Sequence, residues 1–180
     1  MNRSKCSIVI VAVLIVAAVF TLYDLNGNSF DLSDRHILLI VTDSMDGDND
    51  SYAIHSFPKD TFVMVEELSQ EQIPSEIAVG DVIAFDQGGF QNHHRVISIH
   101  LEDGYVQTKG DNAPLPEDVP LQSIKGKVVG TNHILGVVVS FLLHHTFIVL
   151  ATMFTITAVD YILWVLRDEK KKQTAGGSKP

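Results

Sequence analysis

Residues 95–109 read RVISIHLEDGYVQTK and carry the clearest structural signal in the chain. Arg95–Leu101 and Tyr105–Lys109 are rich in residues that favour strands. Asp103-Gly104, which separates them, is typical of a tight hairpin turn. Strands joined by so short a connection pair in the antiparallel direction, because a parallel connection needs about a dozen residues or more. This stretch therefore predicts an antiparallel β-hairpin.

Other short runs with the composition of strands occur on both sides of this hairpin. Polar loops containing Gly or Pro separate them, and they lack the apolar spacing of an amphipathic helix. The runs are His36–Val41, Thr61–Leu68, Asp81–Asp86 and Ile124–Thr131. We therefore expect a mainly β fold, with an antiparallel β domain at residues 24–133 held between two helices.

Two apolar runs flank the predicted β domain. Residues 7–23, SIVIVAVLIVAAVFTLY, contain no charge and are just long enough to cross a bilayer, which takes about 17 to 25 residues. Residues 147–166, FIVLATMFTITAVDYILWVL, are interrupted by one charge, Asp160. We expect a transmembrane anchor at 7–23, a second transmembrane helix at 147–166 and a juxtamembrane segment at 134–146.

Each apolar run has an alternative interpretation. The charged beginning of the chain and the small residues Ala17-Ala18 are also features of a cleavable signal peptide. The first run continues to Leu22 without a small-x-small exit, however, which favours an uncleaved anchor. Asp160 would suit a buried core helix, because a carboxylate is costly at membrane depth. On a helix it would lie close enough to Arg167 to pair with it.

Charge predicts how the chain is oriented. The cytoplasmic N-terminus 1–6 and the tail 167–180 are basic, and the positive-inside rule then places both termini in the cytoplasm. The β domain would lie on the exterior or lumenal side, next to the lipid bilayer. It holds 19 of the 22 acidic residues and 6 of the 13 basic residues, which argues against nucleic acid as a partner. The single cysteine, Cys6, rules out an intramolecular disulfide.

The predicted β domain carries the residue types of a serine hydrolase. Ser44 follows the strand that ends at Val41 and begins a turn-rich loop. A serine hydroxyl is a weak nucleophile unless a base lies within hydrogen-bond reach. His93 and His94 are candidates, but neighbours on a strand face opposite ways, so only one can face Ser44. The pattern alone does not choose between them, and both could be ordinary polar residues at the end of a strand.

A carboxylate that orients the histidine would complete such a site. Asp111, Glu117 and Asp118 lie in a proline-containing loop, and Asp111 alone could also form a turn after Gly110. A metal site built from His93 or His94 with His100 and Asp111 is disfavoured, because the chain has no HExxH or paired-cysteine spacing. We expect neither a metal nor a cofactor.

Four segments in order resemble the conserved boxes of the type I signal peptidases, in their archaeal and endoplasmic-reticulum branch. The resemblance covers Ile37 to Gly130. The segments are Ser44-Met45, GDVIAF at residues 80–85, His94-Arg95-Val96, and TKGDN at residues 108–112 with acidic residues a few positions later. It implies an antiparallel β catalytic domain of signal-peptidase type, working without a cofactor.

The same resemblance implies roles for individual residues. Ser44 would be the nucleophile, His94 rather than His93 the base, and Asp118 the nearest candidate for the carboxylate, with Asp111 and Glu117 as alternatives. Backbone N–H groups at Ser44 and Met45 would serve as an oxyanion hole. The implied substrates are preproteins, cut after small residues at the end of their signal peptides, and the secretion translocon is an implied partner. Small-residue pockets are expected beside Phe62, Met64 and Ile83.

The chain departs from the family pattern at two positions. The family box is usually Ser-Met-x-Pro, whereas this chain has Gly47 in the proline position, which predicts a less restrained loop. Glu117 stands where the final aspartate is expected, one residue before Asp118. These departures keep open a catalytically silent homologue that binds preproteins or acts as a complex subunit. A membrane-tethered regulator that cleaves its own chain is a third hypothesis.

Overall fold

The computed structural model describes residues 29–176. Its described residues fall into two compact units, 29–140 and 141–176. The predicted anchor at 7–23 and Cys6 lie outside the described residues. The prediction of a mainly β, antiparallel fold is confirmed for the first unit. Its strands form a single sheet of eight strands.

The strands and helices have these bounds. The strands are β1 (Ser29–Leu32), β2 (Arg35–Leu39), β3 (Phe62–Glu67), β4 (Val82–Gln87), β5 (Phe90–His100), β6 (Tyr105–Lys109), β7 (Glu117–Pro120) and β8 (Ile124–Asn132). The helices are α1 (Ile73–Glu76), α2 (His133–His144) and α3 (Thr146–Gly176), and one 3₁₀ turn covers Leu121–Ser123. In the sheet the strands lie in the order β1-β2-β3-β8-β4-β5-β6-β7.

The predicted hairpin is present as β5 and β6, which pair antiparallel from His100 opposite Tyr105. Gly104 in its turn has a φ of +77°, which glycine adopts readily. Strand β5 begins earlier than predicted, at Phe90, because a second turn through Gly88 and Gly89 folds it back along β4. The two adjacent histidines therefore lie inside a strand, not at its end.

Strand β7 was not predicted. Its sequence, EDVP, has two acidic residues and a proline, which are poor strand formers. It forms at the edge of the sheet, where proline is tolerated, by pairing with β6. The register sets Glu117 opposite Thr108 and Asp118 opposite Gln107. Since successive strand residues face opposite sides, the two acidic residues point away from each other.

The core consists of two apolar clusters on opposite faces of β4. Val82 and Ala84 belong to the first cluster, whereas Ile83 and Phe85 belong to the second. The first also contains Ile40, Met45, Phe57, Val63, Val65 and Val128, and the second contains Ile73, Ile77, Val96, Val106, Val119 and Ile124. Ile83, expected beside a substrate pocket, is instead fully buried.

Residues 134–146, predicted as a juxtamembrane segment, are largely helical as α2. Helix α2 contacts the loop that precedes β3, where Ser140 Oγ donates to Asp60 Oδ1 at 2.6 Å. In the second unit, α3 includes the predicted span 147–166. Thr146–Lys172 is the one helix of residues 29–176 that is long and apolar enough to cross a membrane. Within that helix no ion pair joins Asp160 to Arg167.

Candidate active site

Ser44 lies in the loop that leaves β2. The loop turns at this point, because the N–H of Asp46 donates to the carbonyl of Asp43 at 3.1 Å. Met45 is only 1% exposed and packs in the first core cluster, which anchors the turn. The carbonyl of Ser44 accepts a hydrogen bond of 2.9 Å from the N–H of Asn112. Ser44 is thereby held against the 110–112 turn, and its side chain remains half-buried.

Two backbone N–H groups at this turn have no hydrogen-bond partner among the described residues. Across residues 29–176, the N–H groups of Ser44 and Met45 donate no hydrogen bond to the protein, whereas those of Asp46 and Gly47 donate to loop carbonyls. Free N–H groups beside a serine are the donors from which oxyanion holes are built.

His94 lies on β5 opposite Ile83, and its ring packs near Phe85 with a centroid distance of 5.8 Å. Its Nδ1 hydrogen-bonds to Oε1 of Glu117. A carboxylate accepts hydrogen bonds, so Nδ1 carries a proton, and in the neutral imidazole Nε2 then keeps its lone pair. This is the tautomer that a general base needs for a serine hydroxyl.

Gly110 separates Ser44 from His94. A Cβ atom on residue 110 would lie 2.6 Å from the carbonyl oxygen of Ser44 and 3.1 Å from Cδ2 of His94. The serine backbone and the imidazole therefore meet around one glycine, which leaves no room for a side chain there. Ser44 Oγ lies 3.3 Å from Thr42 Oγ1, and no hydrogen bond joins it to His94. Catalytic hydrogen bonds of this kind are often long before substrate binds.

The three candidate carboxylates have different partners. Glu117 contacts His94 and also accepts a hydrogen bond of 2.8 Å from Gln87 Nε2. Asp118, which the family resemblance gave as the nearest candidate, faces the opposite side of the strand and accepts a hydrogen bond of 3.1 Å from Gln107 Nε2. Asp111 pairs with Arg95 instead. The structure thus joins Glu117 to His94 and places the Ser44 backbone near the imidazole around Gly110, whereas Asp118 and Asp111 make no hydrogen bond to the imidazole.

The ion pair of Arg95 and Asp111 was not anticipated from sequence. Arg95 Nε and Nη2 donate to the two carboxylate oxygens at 2.8 and 2.6 Å, and the side chains are 3% and 6% exposed. Arg95 Nη1 also donates to the carbonyls of Ile54 and Gly80. Ser56 Oγ donates to Asp111 at 2.6 Å. The pair therefore ties the serine loop and the 110–112 turn to β5.

Gly47, the departure from the family pattern, lies against this ion pair. A Cβ atom on residue 47 would lie 2.9 Å from Cβ of Asp111 and 3.1 Å from its carbonyl oxygen. A proline ring would not fit into that space. Glycine at 47 thus lets the serine loop approach the Asp111 turn closely.

His93 points to the face opposite His94, as expected for neighbours on a strand. It is buried, and its Nε2 has no hydrogen-bond partner among the described residues. Burial, with the nearby imidazoles of His36 and His94, lowers the pKa of His93 from 6.5 to about 4. His93 is therefore neutral at pH 7 and lies away from Glu117.

A groove of about 280 Å³ opens beside Ser44. Its walls are Leu38 to Thr42, Ser44 and Met45 on one side and Gln91 to His93 on the other. Apolar strand residues dominate the first wall. The expected lining residues Phe62, Met64 and Ile83 do not contribute to it.

A scan against protein-family models finds no match to this chain, and a comparison with curated proteins finds no similar one. Within residues 29–176, no group of three or more His, Cys, Asp or Glu side chains could hold a metal ion. The chemistry available at this site is that of a hydroxyl, an imidazole with a carboxylate on its Nδ1, and two N–H groups that donate to no other described residue.

Proposed function

We propose that this protein is a membrane-bound serine endopeptidase that removes N-terminal signal peptides from preproteins, cutting after small residues. One observation carries the proposal: Glu117 fixes the Nδ1 proton of His94, and that imidazole meets the backbone of Ser44 around Gly110. A base with its free nitrogen near a serine is the requirement for acyl transfer by a serine hydrolase.

The reaction follows from these roles. Nε2 of His94 takes the proton of Ser44 Oγ while the oxygen attacks the scissile carbonyl carbon, and the imidazolium then protonates the leaving amine. Water, activated by the same nitrogen, hydrolyses the acyl-enzyme and releases Ser44. Glu117 stabilises the imidazolium in both steps. The N–H groups of Ser44 and Met45 would bind the oxyanion, a contribution of about 3 kcal/mol per donor.

The groove supports a small-residue preference. Leu39, the last residue of β2, and residues 40–42 after it have no partner from β1 in the described residues, so an extended peptide could pair with this edge. A signal peptide ends in small-x-small residues, which suit a narrow groove walled by Leu38 to Thr42. The apolar helix at Thr146–Lys172 supports action at a bilayer, where the hydrophobic part of such a substrate lies.

The second candidate function is that of a catalytically silent homologue that binds preproteins. The contact of Ser44 Oγ with Thr42 Oγ1, and not with His94, is the observation that favours it. Such a protein would bind signal-peptide substrates without cutting them, and Ser44→Ala would leave the binding unchanged.

The decisive experiment is cleavage of a labelled preprotein by the purified full-length protein in detergent, with the cut site mapped by mass spectrometry. We expect one cut after a small residue. Ser44→Ala and His94→Ala should abolish it, whereas Ser75→Ala, which removes an exposed hydroxyl on α1, should not. Cleavage by Ser44→Ala at the normal rate would contradict the proposal. Binding without cleavage would favour the silent homologue.

A further inference from the structure

The side-chain amides of Asn92 and Gln87 form a hydrogen-bond network that ends at Glu117, on the oxygen that does not contact His94. The N–H of His93 donates to Oδ1 of Asn92 at 3.2 Å, and Nδ2 of Asn92 donates to Oε1 of Gln87 at 2.9 Å. Nε2 of Gln87 then donates to Oε2 of Glu117 at 2.8 Å. The other oxygen of Glu117 accepts from Nδ1 of His94.

The donor and acceptor roles in this network are fixed by the hydrogen bond from the His93 N–H to Asn92. A backbone N–H can only donate, so it requires the oxygen of the Asn92 amide to face it and turns the NH₂ group towards Gln87. Gln87 must then present its oxygen to Asn92 and its NH₂ group to Glu117. The orientation of both amides therefore follows from the network, although an amide taken alone could be flipped.

Glu117 needs such support because of where it lies. Its side chain is 27% exposed and belongs to the short edge strand β7, so packing alone holds it weakly. With Oε2 bound to Gln87, the carboxylate cannot turn into solvent without breaking a hydrogen bond. The amide is neutral, so it orients the carboxylate without competing for the charge that balances an imidazolium.

The β4–β5 hairpin brings the amides into place. Gly88 and Gly89 have φ values of +64° and +88°, which makes the turn tight and sets Gln87 opposite Phe90. Asn92 lies opposite Phe85, on the diagonal from Gln87, where long side chains of two strands meet. Both amides lie on the face of the sheet that also carries His94.

We propose that Gln87, oriented by Asn92, is a positioning residue that holds Glu117 against His94. The inference rests on the proposed function for its catalytic consequence, but the positioning itself is a property of the folded protein. Gln87 touches neither Ser44 nor the groove, so its loss should change the chemical step and leave substrate binding intact.

The test compares two variants of full-length protein in detergent. Gln87→Met keeps the length of the side chain and removes the amide. Gln107→Met is the matched control, because the amide of Gln107 donates an equivalent hydrogen bond to Asp118 on the opposite face of the sheet. We expect Gln87→Met to lower kcat about tenfold with KM within about twofold, the usual effect of losing one hydrogen bond to a charged group. Gln107→Met should change neither.

A second readout does not depend on activity. In ¹⁵N-histidine-labelled protein, the Nδ1 proton of His94 should give a downfield NMR signal that His94→Ala removes. Gln87→Met should broaden it by faster exchange with water, whereas Gln107→Met should preserve it. An unchanged signal in Gln87→Met would overturn the positioning role even in a protein that cleaves nothing. Equal losses of kcat in both variants would overturn it as well, and would leave the proposed function standing.

Discussion

Glu117 on β7 accepts the hydrogen bond from Nδ1 of His94 on β5, across the intervening strand β6. The carboxylate reaches this position because the β6–β7 register sets Glu117 opposite the buried Thr108. Its neighbour Asp118, turned to the other side of the strand, is bound to Gln107. One residue of register thus decides which carboxylate faces the imidazole.

Replacing Glu117 should impair cleavage far more than replacing Asp118. Glu117→Gln keeps the size of the side chain but removes the charge that stabilises the imidazolium, so we expect kcat to fall by at least about 100-fold. Asp118→Asn should stay within about twofold. The measurement is steady-state cleavage of a fluorogenic signal-sequence peptide. The reverse order of effects would show that the carboxylate on His94 is not the catalytic one.

A methyl group at Gly110 should disrupt the site. An alanine there would have to displace the Ser44 carbonyl or the His94 ring, and overpacking of this kind costs about 1 to 3 kcal/mol. We expect a lower melting temperature and loss of cleavage in Gly110→Ala. Gly130→Ala is the matched control, since its nearest neighbour would be Met64 Cβ at 4.0 Å. If both variants melted and cleaved alike, the close approach at Gly110 would be unimportant.

Replacing Asp111 should lower the stability of the folded protein, because Asp111 has a structural role and no role in a specific step of the reaction. Removing one member of a buried ion pair leaves an uncompensated charge and costs about 3 to 5 kcal/mol. Asp111→Ala should therefore lower the thermal unfolding midpoint markedly, because Arg95 would lose the partner of two hydrogen bonds. Asp118→Ala, at an exposed position, should shift the midpoint little. A midpoint for Asp111→Ala equal to that of the wild type would contradict the structural role.

The hairpin and the membrane-length helix were predictable because their signals are local. Asp103-Gly104 specifies a turn on its own, and a run of apolar residues specifies a helix that can cross a bilayer. Strand β7 was not predictable in this way, because EDVP forms a strand only where β6 offers a partner.

The residues of the candidate site were also predictable in part. The segments that carry the resemblance named Ser44 and His94, and strand alternation predicted that His93 and His94 face opposite sides of the sheet. The choice of Glu117 over Asp118 depends on the register of β7, which the local sequence does not specify. The need for glycine at 47 and 110 likewise arises from the close approach of segments distant in sequence.

Burial of His93 predicts a loss of stability in acid. Its pKa is lowered to about 4 in the folded protein, whereas the unfolded chain takes up the proton near 6.5. The unfolded state therefore binds more protons than the folded state between these pH values. The contribution of His93 to the free energy of unfolding is fully present above pH 6.5 and is lost as the pH drops to about 4. The total loss is about 3 kcal/mol.

Unfolding midpoints measured from pH 7.5 to 4 test this effect. His93→Leu should flatten the acid limb, since it removes the buried titrating group. An acid limb of the same steepness in His93→Leu would assign the pH dependence to other groups.

In the proposed reaction Ser44 is a nucleophile activated by His94. A serine-reactive phosphonate probe reports on this activation, because the probe bonds covalently to an activated serine oxygen and the modified peptide can be identified by mass spectrometry. We predict a single adduct on Ser44 in the wild-type protein, formed at least about 100-fold more slowly in His94→Ala. Equal labelling of Ser44 in both proteins, or an adduct only on other serines, would contradict the account.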